Sequence, residues 1–235
     1  MNILITGASK GIGKAIVENL REFGNIFVTS RNEELLKNLS CHSYFVCDLS
    51  KENELISLGN FIENNKIDVL INNAGEYIYG GIDSLRLNEL NHIISVNLKA
   101  PIYLMSKSVP YMKKNKFGRI INIGSISGCM GEAYASMYSA TKAGLIGLSK
   151  STGLELAEYG ITVNTINPGW VNTELGKESI EESEFTEEEI ISCIPQKRFV
   201  APEEVANLVK YLISDDAKGI TGQAINLCAG LSVGI

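Results

Sequence analysis

The sequence predicts an α/β fold in which a doubly wound parallel sheet of about seven strands carries helices on both faces. Short apolar runs, several of them rich in Ile and Val, alternate with longer amphipathic stretches along the chain. Strands that alternate with helices form parallel sheets, and strands that are apolar throughout suit a sheet covered on both sides. No repeat and no Pro/Ser-rich linker interrupts the alternation, so one domain over residues 1–235 is expected.

The individual elements follow from these patterns in chain order. Seven short runs predict strands at Asn2–Thr6, Ile26–Thr29, Tyr44–Cys47, Val69–Asn72, Arg119–Ile123, Thr162–Ile166 and Ala224–Leu227. Six stretches with helical periodicity predict helices at Gly13–Phe23, Glu33–Leu39, Glu52–Asn64, Leu87–Lys114, Ser136–Tyr159 and Pro202–Ser214. Strands and helices alternate strictly, as a doubly wound sheet requires.

Residues 174–189 break this rhythm, because they contain eight glutamates and one lysine with little apolar periodicity. A solvated helix is one interpretation of such a charge run. Its position after the carboxyl end of a strand also allows a mobile lid over a cleft. Residues 174–195 are therefore expected to form a substrate lid.

Composition argues against several classes of function. The net charge of −6 disfavours binding to nucleic acid. No segment approaches the roughly 20 apolar residues of a membrane span, and no signal peptide is visible, so a cytoplasmic location without membrane contact is expected. The five cysteines lack paired spacing and the two histidines are isolated, which predicts reduced thiols and no metal site.

A glycine-rich turn, Thr6-Gly7-Ala8-Ser9-Lys10-Gly11-Ile12-Gly13, follows the first predicted strand and opens the first helix. Gly7 can turn tightly, Gly11 lets the backbone approach a pyrophosphate, and Gly13 lets the helix pack against the strand. The free N–H groups and positive dipole end at the helix start favour an anion. This context predicts a dinucleotide site of the Rossmann type. Its predicted members in the turn are Gly7, Ser9, Lys10, Gly11, Ile12 and Gly13.

The end of the second predicted strand indicates which dinucleotide is preferred. An acidic residue there would accept hydrogen bonds from the ribose hydroxyls of NAD. The chain has Thr29-Ser30-Arg31 instead, and Arg31 could pair with a 2′-phosphate with help from Lys10. NADP(H) is therefore predicted and NAD(H) is possible. The alternative is that both residues are ordinary surface cations.

The spacing of Tyr138 and Lys142 indicates a proton-transfer reaction. A spacing of four residues puts both side chains on one face of a helix. A nearby ammonium lowers the pKa of a phenol from its ordinary value of about 10, so Tyr138 could exchange a proton with a carbonyl or an alcohol. The alternative is a helix with one buried aromatic residue and one solvated lysine.

With further motifs in the same order, the chain resembles the short-chain dehydrogenase/reductase family in its compact single-domain branch. Besides the glycine turn and the Tyr138–Lys142 pair, the motifs are Asp48-Leu49, Asn72-Asn73-Ala74-Gly75, Asn97, Ser125 and Asn167-Pro168-Gly169-Trp170-Val171-x-Thr173.

The resemblance implies four catalytic residues. Ser125 orients the substrate oxygen, and Tyr138 is the acid in reduction and the base in oxidation. Lys142 lowers the pKa of Tyr138 and binds the nicotinamide ribose. Asn97 holds a water that links Lys142 to solvent, or patches a helix irregularity, or does both. Cofactor contacts are implied for Arg31, Asp48, Leu49, Asn73, Ala74, Gly75, Tyr138, Lys142, Pro168, Gly169, Val171 and Thr173.

Among members of the family, the chain most resembles 3-oxoacyl-(acyl-carrier-protein) reductases. This implies a reversible NADPH-dependent reduction of a ketone, either a 3-oxoacyl thioester or a related compound. An NAD-linked dehydrogenase of a sugar, a polyol or another secondary alcohol, and a non-catalytic NADP(H)-binding regulator, stay open as alternatives. Enoyl reductases of the superfamily use a longer Tyr–Lys spacing, which argues against enoyl reduction by this chain. The relatives form tetramers, so a homotetramer or a homodimer is expected.

One departure from the resemblance concerns the carrier of the substrate. Fatty-acid enzymes have an arginine that helps to bind the acidic carrier protein, and the chain has Tyr159 at this position. The glutamates of the lid would also repel an acidic carrier.

Overall fold

Seven parallel strands form one sheet, in the order β3-β2-β1-β4-β5-β6-β7. The computed structural model describes residues 1–233, so Gly234 and Ile235, which end the predicted domain, lie outside the described residues. The strands are β1 (Asn2–Thr6), β2 (Asn25–Ser30), β3 (Ser43–Val46), β4 (Val69–Asn72), β5 (Gly118–Ile123), β6 (Ile161–Pro168) and β7 (Ala224–Leu227). The predicted α/β fold is confirmed, and every predicted strand matches an observed one to within about two residues.

Helices connect the strands. They are α1 (Gly11–Leu20), α2 (Glu33–Lys37), α3 (Glu52–Asn65), α4 (Leu87–Ile94), α5 (Ala100–Asn115), α6 (Ser127–Met130), α7 (Ser136–Leu156), α8 (Glu174–Glu182), α9 (Glu187–Cys193) and α10 (Pro202–Ile213). The long helix predicted over Leu87–Lys114 is wrong in one respect, because a π-helical segment at Ser95–Lys99 separates α4 from α5. The glutamate-rich stretch contains two helices, α8 and α9, which agrees with the solvated-helix interpretation.

Alternate residues of β1 enter opposite hydrophobic cores. Ile3 and Ile5 belong to the core that α1 and α10 cover, whereas Leu4 belongs to the core that α3 and α5 cover. All three side chains are fully buried. This two-sided burial explains why three consecutive residues in the middle of β1 are apolar instead of alternating with polar residues.

Gly13 lies where α1 crosses the glycine turn. A Cβ atom on Gly13 would lie 2.2 Å from the carbonyl oxygen of Gly7 and 2.9 Å from the Cα atom of Ala8. Both neighbours are backbone atoms, so neither can move without shifting α1 or β1. A side chain at Gly13 would therefore push the helix away from the strand.

Gly13→Ala is expected to lower the free energy of unfolding by roughly 3 kcal/mol, because an overpacked methyl group displaces backbone. Urea denaturation of both proteins measures the loss. Gly219→Ala is the control, since a Cβ there meets nothing within 4 Å among the described residues. The control should unfold like the parent protein, and equal stability of all three would contradict the packing role of Gly13.

Candidate active site

A cleft of about 1250 Å³ opens at the carboxyl ends of the strands, where the strand order reverses between β1 and β4. Doubly wound sheets bind ligands at such a reversal. Segments after all seven strands line the cleft, and residues of α8 and α9 complete it. The predicted site residues that line it are Gly7, Ser9, Lys10, Gly11, Ile12, Arg31, Asp48, Leu49, Asn73, Ala74, Gly75, Ser125, Tyr138, Lys142, Pro168, Gly169, Val171 and Thr173.

Two predicted site residues, Gly13 and Asn97, lie behind this lining. Gly13 is buried at the start of α1, and Asn97 is completely buried in the π-helical segment. Neither contributes to the cleft surface formed by residues 1–233. Their roles toward a bound cofactor or a relayed proton stay predictions, and the structure gives each of them a packing contact.

The loops after β1 and β4 form one connected floor. The Thr6 hydroxyl accepts hydrogen bonds from the backbone N–H groups of Asn73 and Ala74, each at 3.0 Å. The Asn73 amide donates to the carbonyl oxygens of Thr6, at 2.9 Å, and Gly7, at 3.1 Å. Gly7 has a φ of +63°, and a Cβ there would lie 2.8 Å from the Cα of Ala74. Only glycine fits this close approach.

The amino end of α1 meets the chemical requirements of a pyrophosphate site. Gly11, with a φ of +54°, begins the helix and lines the cleft with Lys10. The Lys10 side chain forms no capping hydrogen bond within the described chain. The first N–H groups of the helix are therefore available to an anion. The residues present fit the phosphates of a dinucleotide.

Tyr138 and Lys142 both project from the first turns of α7 into the cleft. The Lys142 ammonium is buried, donates to the Ile123 carbonyl oxygen at 2.9 Å and lies 5.5 Å from the centre of the Tyr138 ring. Burial lowers the pKa of Lys142 to about 8.

The pKa of Tyr138 lies above its ordinary value in this structure. Burial raises the pKa of Tyr138 to about 12, hydrogen bonding with Ser125 opposes the rise, and the charge of Glu132 adds to it. The Lys142 ammonium donates to a backbone carbonyl, and its lowering of the Tyr138 pKa stays a prediction. Tyr138 is therefore a protonated phenol at neutral pH, which is the form that donates a proton.

A chain of hydroxyl groups runs from the active-site serine to a carboxylate. The Ser125 hydroxyl donates to Ser127 at 3.0 Å, and Ser127 donates to the Glu132 carboxylate at 2.6 Å. The Tyr77 hydroxyl donates to the other oxygen of Glu132 at 2.7 Å, and its ring packs edge-on against Tyr138 at 5.0 Å. An ionised carboxylate can only accept hydrogen bonds, so Glu132 fixes the hydroxyls of Ser127 and Tyr77 as donors toward it.

Glu132→Gln is expected to shift the rising limb of the pH profile for alcohol oxidation to lower pH. Removing the negative charge lowers the pKa of Tyr138, so the phenolate that accepts the alcohol proton forms more readily. Rates of alcohol oxidation over a pH series measure the shift. Glu178→Gln, which changes a cleft-lining lid residue, is the control. An unmoved profile in Glu132→Gln would show that Glu132 does not tune Tyr138.

Asn97 holds the loop after β4 in place beside Lys142. Its side-chain oxygen accepts from the backbone N–H of Glu76, and its amide donates to the backbone carbonyl of Glu76, both at 2.8 Å. The preceding Gly75 leaves room for Lys142, because a Cβ there would lie 3.1 Å from the Lys142 Nζ. The π-helical setting agrees with the interpretation that Asn97 patches a helix irregularity.

Both cations predicted to bind a 2′-phosphate are paired with carboxylates. Arg31 Nη1 lies 2.7 Å from Glu76 Oε1, and Lys10 Nζ lies 2.9 Å from Glu174 Oε2. Neither partner was expected from the sequence, although Glu76 directly follows the Asn73-Ala74-Gly75 motif and Glu174 begins the glutamate-rich stretch. The sequence does not indicate Ser127 and Tyr77 as site residues, or Glu132 as their hydrogen-bond acceptor, because it does not show how their loops fold together.

The part of the cleft beyond Tyr138 is aromatic and partly acidic. Residues of the glutamate-rich stretch enter this part, including Leu175, Phe185 and Ile190. Thr173 caps α8 by accepting a hydrogen bond from the Gly176 N–H at 3.1 Å, which fixes where the stretch leaves the cleft. The aromatic and acidic residues linked to Tyr138 or to one another are Tyr77, Tyr79, Tyr134, Glu132 and Glu184. The cleft is also lined by Trp170, Phe185, Glu178 and Glu189.

Residues 1–233 contain no group of three or more His, Cys, Asp or Glu side chains that could hold a metal ion. None of the described helices combines the length and the apolar character needed to cross a membrane.

Comparison with known proteins identifies the family. Residues 7–232 match the family model described as enoyl-(acyl carrier protein) reductase. The chain is 38% identical to the 3-oxoacyl-[acyl-carrier-protein] reductase FabG of Rickettsia felis, over 97% of this chain and 95% of that protein.

Solved structures agree. A variant of actinorhodin polyketide ketoreductase solved with NADPH has a TM-score of 0.92 at 35% identity, covering 99% of this chain and 97% of that one. YwfH, an NADPH-dependent reductase involved in bacilysin biosynthesis, has a TM-score of 0.93 at 30% identity, covering 100% of this chain and 99% of that one. With the glycine turn, Ser125, Tyr138 and Lys142 gathered in one cleft, the chain belongs to the short-chain dehydrogenase/reductase family.

Proposed function

We propose that this protein is an NADPH-dependent ketone reductase whose substrate is a 3-oxoacyl thioester or a related ketone, in a reaction that is reversible. The observation that carries the proposal is that Ser125, Tyr138 and the buried Lys142 line one cleft, with the Lys142 ammonium 5.5 Å from the centre of the Tyr138 ring. Relatives named as 3-oxoacyl reductases and ketoreductases, two of them associated with NADPH, support it.

Different residues of the cleft would bind the separate parts of the cofactor. The first N–H groups of α1 would hold the pyrophosphate, Arg31 and Lys10 the 2′-phosphate, and Lys142 the nicotinamide ribose. NADPH, when bound, supplies the hydride that reduces the carbonyl carbon. Binding of the cofactor, orientation of the substrate and delivery of the proton fall to backbone and side-chain groups of this chain.

Proton delivery is the task of Tyr138. Negative charge grows on the carbonyl oxygen during reduction, and the phenol gives its proton to that oxygen. The high pKa of Tyr138 keeps the proton available at neutral pH. The Ser125 hydroxyl, held by Ser127, positions the oxygen so that the phenol meets it. Lys142 and Asn97 would return a proton to the phenolate after each turnover.

The aromatic and acidic end of the cleft suits an uncharged acyl chain better than a phosphorylated one. Glu132 lies beside Tyr138 and four glutamates of the stretch 174–195 line the cleft, so a substrate that carries phosphate near them would be repelled. We therefore expect short thioesters without phosphate to be reduced at least as well as coenzyme A thioesters. The stretch 174–195 would act as the lid that covers them.

NADPH oxidation with a panel of substrates tests the proposal. The panel contains 3-oxoacyl thioesters of N-acetylcysteamine, coenzyme A and carrier protein, small ketones, and the matching enoyl thioesters. Reduction of ketones, with the enoyl thioesters untouched, is the expected result. Reduction of enoyl thioesters alone would favour the activity that the family model's description names. Tight NADPH binding without any turnover would favour a regulator, and NAD-linked oxidation of sugars or polyols would favour the alternative dehydrogenase.

The wider setting is proposed on the same basis. Residues 1–235 would form one domain, in the cytoplasm, assembled as a homotetramer or a homodimer through α5 and α7. Leu154 on α7 is 83% exposed and Ile102 on α5 is 44% exposed, which supports burial of these helices in an assembly. Sedimentation velocity distinguishes a monomer from either oligomer.

A further inference from the structure

Arg31 forms an ion pair with Glu76, and several other residues fix the Glu76 carboxylate in place. One oxygen of Glu76 accepts from Arg31 at 2.7 Å, and the other pairs with the imidazole of His92. The backbone N–H and carbonyl of Glu76 are both bonded to Asn97. The Glu76 side chain is only 24% exposed, whereas that of Arg31 is 62% exposed. Glu76 is thus the anchored member of the pair, and Arg31 is the member that can move.

Lys10 is paired more loosely. Its ammonium lies 2.9 Å from Glu174, and the two side chains are 52% and 68% exposed. Ion pairs this exposed are screened by salt and contribute little free energy. Asp48 is a further carboxylate near Arg31. Hydrogen bonds from Ser50, and after them the charge of Arg31, hold the pKa of Asp48 below its ordinary value against the effect of burial. Asp48 already accepts from the Ser50 hydroxyl at 2.7 Å. Glu76 is therefore the main competitor for Arg31.

We propose that Glu76 is a specificity-determining residue that competes with the 2′-phosphate of NADP(H) for Arg31. The inference rests on the proposed function, in which Arg31 binds that phosphate. Binding of NADP(H) must draw Arg31 away from Glu76 and bring a phosphate toward an anchored carboxylate. NAD(H) lacks the phosphate, so its binding leaves the Arg31–Glu76 pair intact.

This competition reduces the difference in affinity between NADP(H) and NAD(H). The attraction between Arg31 and the 2′-phosphate is partly offset by the cost of separating the guanidinium from Glu76. The Glu76 carboxylate and the phosphate then repel each other. Arg31 at the end of β2 predicts NADP(H), while Glu76, which lies in the loop after β4, acts against the binding of NADP(H). Glu174 opposes the phosphate in the same way through Lys10, with a smaller effect because that pair is exposed.

Titration of NADPH and NADH into four variants tests the inference. Trp170 is the single tryptophan and lines the cleft, so its fluorescence can report binding without any substrate. Glu76→Gln keeps a hydrogen-bonding side chain of the same size beside His92 but removes the charge. We expect it to lower the Kd of NADPH about fivefold, and to leave the Kd of NADH within about twofold of the parent value. Glu174→Gln should lower the Kd of NADPH by about twofold or less.

Two further variants separate the inference from the proposal beneath it. Glu178→Gln removes a cleft-lining charge that forms no ion pair among the described residues, and it should leave the NADPH to NADH ratio unchanged. Arg31→Ala should weaken NADPH binding roughly tenfold or more and spare NADH.

The outcomes are distinguishable. A normal NADPH to NADH ratio in Glu76→Gln, with the expected loss in Arg31→Ala, would overturn the competition and leave the proposed function standing. Equal effects of Glu76→Gln and Glu178→Gln would show a general charge effect and would also overturn it. Unchanged NADPH binding in Arg31→Ala would show that Arg31 does not bind the 2′-phosphate, and it would overturn the inference as well. Melting temperatures of all variants establish that each is folded.

Discussion

Tyr138→Phe is expected to lower kcat for ketone reduction by about 10³-fold while NADPH binding is retained. The substitution removes the hydroxyl that donates the proton, and general acid catalysis contributes about 10²- to 10⁴-fold. The ring stays in its edge-on contact with Tyr77, so the cleft keeps its shape. Steady-state rates and tryptophan-fluorescence titrations of NADPH measure the two quantities separately.

A matched tyrosine provides the control. Tyr134 lines the same cleft and is 56% exposed, so Tyr134→Phe removes a phenol hydroxyl without removing the proposed acid. Its kcat should stay within a few-fold of the parent value. Turnover like that of the parent protein in Tyr138→Phe would remove Tyr138 from the chemistry and leave the proposed mechanism without its proton donor.

Lys142→Met is expected to separate activity from stability. Activity should fall by about 10²-fold or more, because the residue that would grip the ribose and return the proton is lost. The free energy of unfolding should stay the same or rise, because a buried ammonium is replaced by an apolar side chain of similar length. Loss of function with unchanged or greater stability marks a residue that is kept for its chemistry.

The pH dependence of stability gives the same variant a second signature. Burial lowers the pKa of Lys142 from 10.5 to about 8 in the folded protein. Between these values the unfolded chain binds more protons, so the stability of the parent protein rises with pH from about 8 toward 10.5. Below that window both states are protonated and the cost of the buried charge is constant. The difference of 10.5 − 8 = 2.5 in pKa corresponds to about 3 kcal/mol at most.

Urea denaturation at a series of pH values measures this dependence. The rise should be absent in Lys142→Met and present in Lys150→Met, which removes an exposed lysine from the same helix. The useful range ends near pH 10, because Tyr138 begins to oppose the rise there: its pKa is higher in the folded protein, so its ionisation at high pH favours unfolding. Parallel curves for the parent protein and Lys142→Met would contradict the burial of a charged ammonium.

The sequence predicts the sheet well because each strand carries its own signal. The middle of a strand such as β1, buried on both faces, must be apolar at consecutive positions, and that requirement is visible in Ile3, Leu4 and Ile5. The glycine turn is equally local, since the steric demands on Gly7 and Gly11 come from the turn that contains them. These residues, together with Ser125, Tyr138 and Lys142, line the cleft that the sequence predicts.

Contacts between distant segments are the part that the sequence does not reveal. Arg31 and Glu76 are 45 positions apart and follow different strands, so nothing near either residue indicates the pair. The pKa of Tyr138 is a similar case. Spacing predicts the influence of Lys142 but not the extent of burial or the approach of Glu132, and these two raise the pKa. Both cases depend on how loops fold over the sheet.

The π-helical segment at Ser95–Lys99 has a consequence for how this site could be lost or gained. Each residue of an α-helix turns the chain by about 100°, so one residue accommodated in a wider turn rotates everything after it relative to everything before it. Deleting one residue from this segment would let α4 and α5 merge into a single regular helix. That helix could be more stable, yet the Asn97 amide would point away from Glu76 and the loop beside Lys142 would lose its anchor.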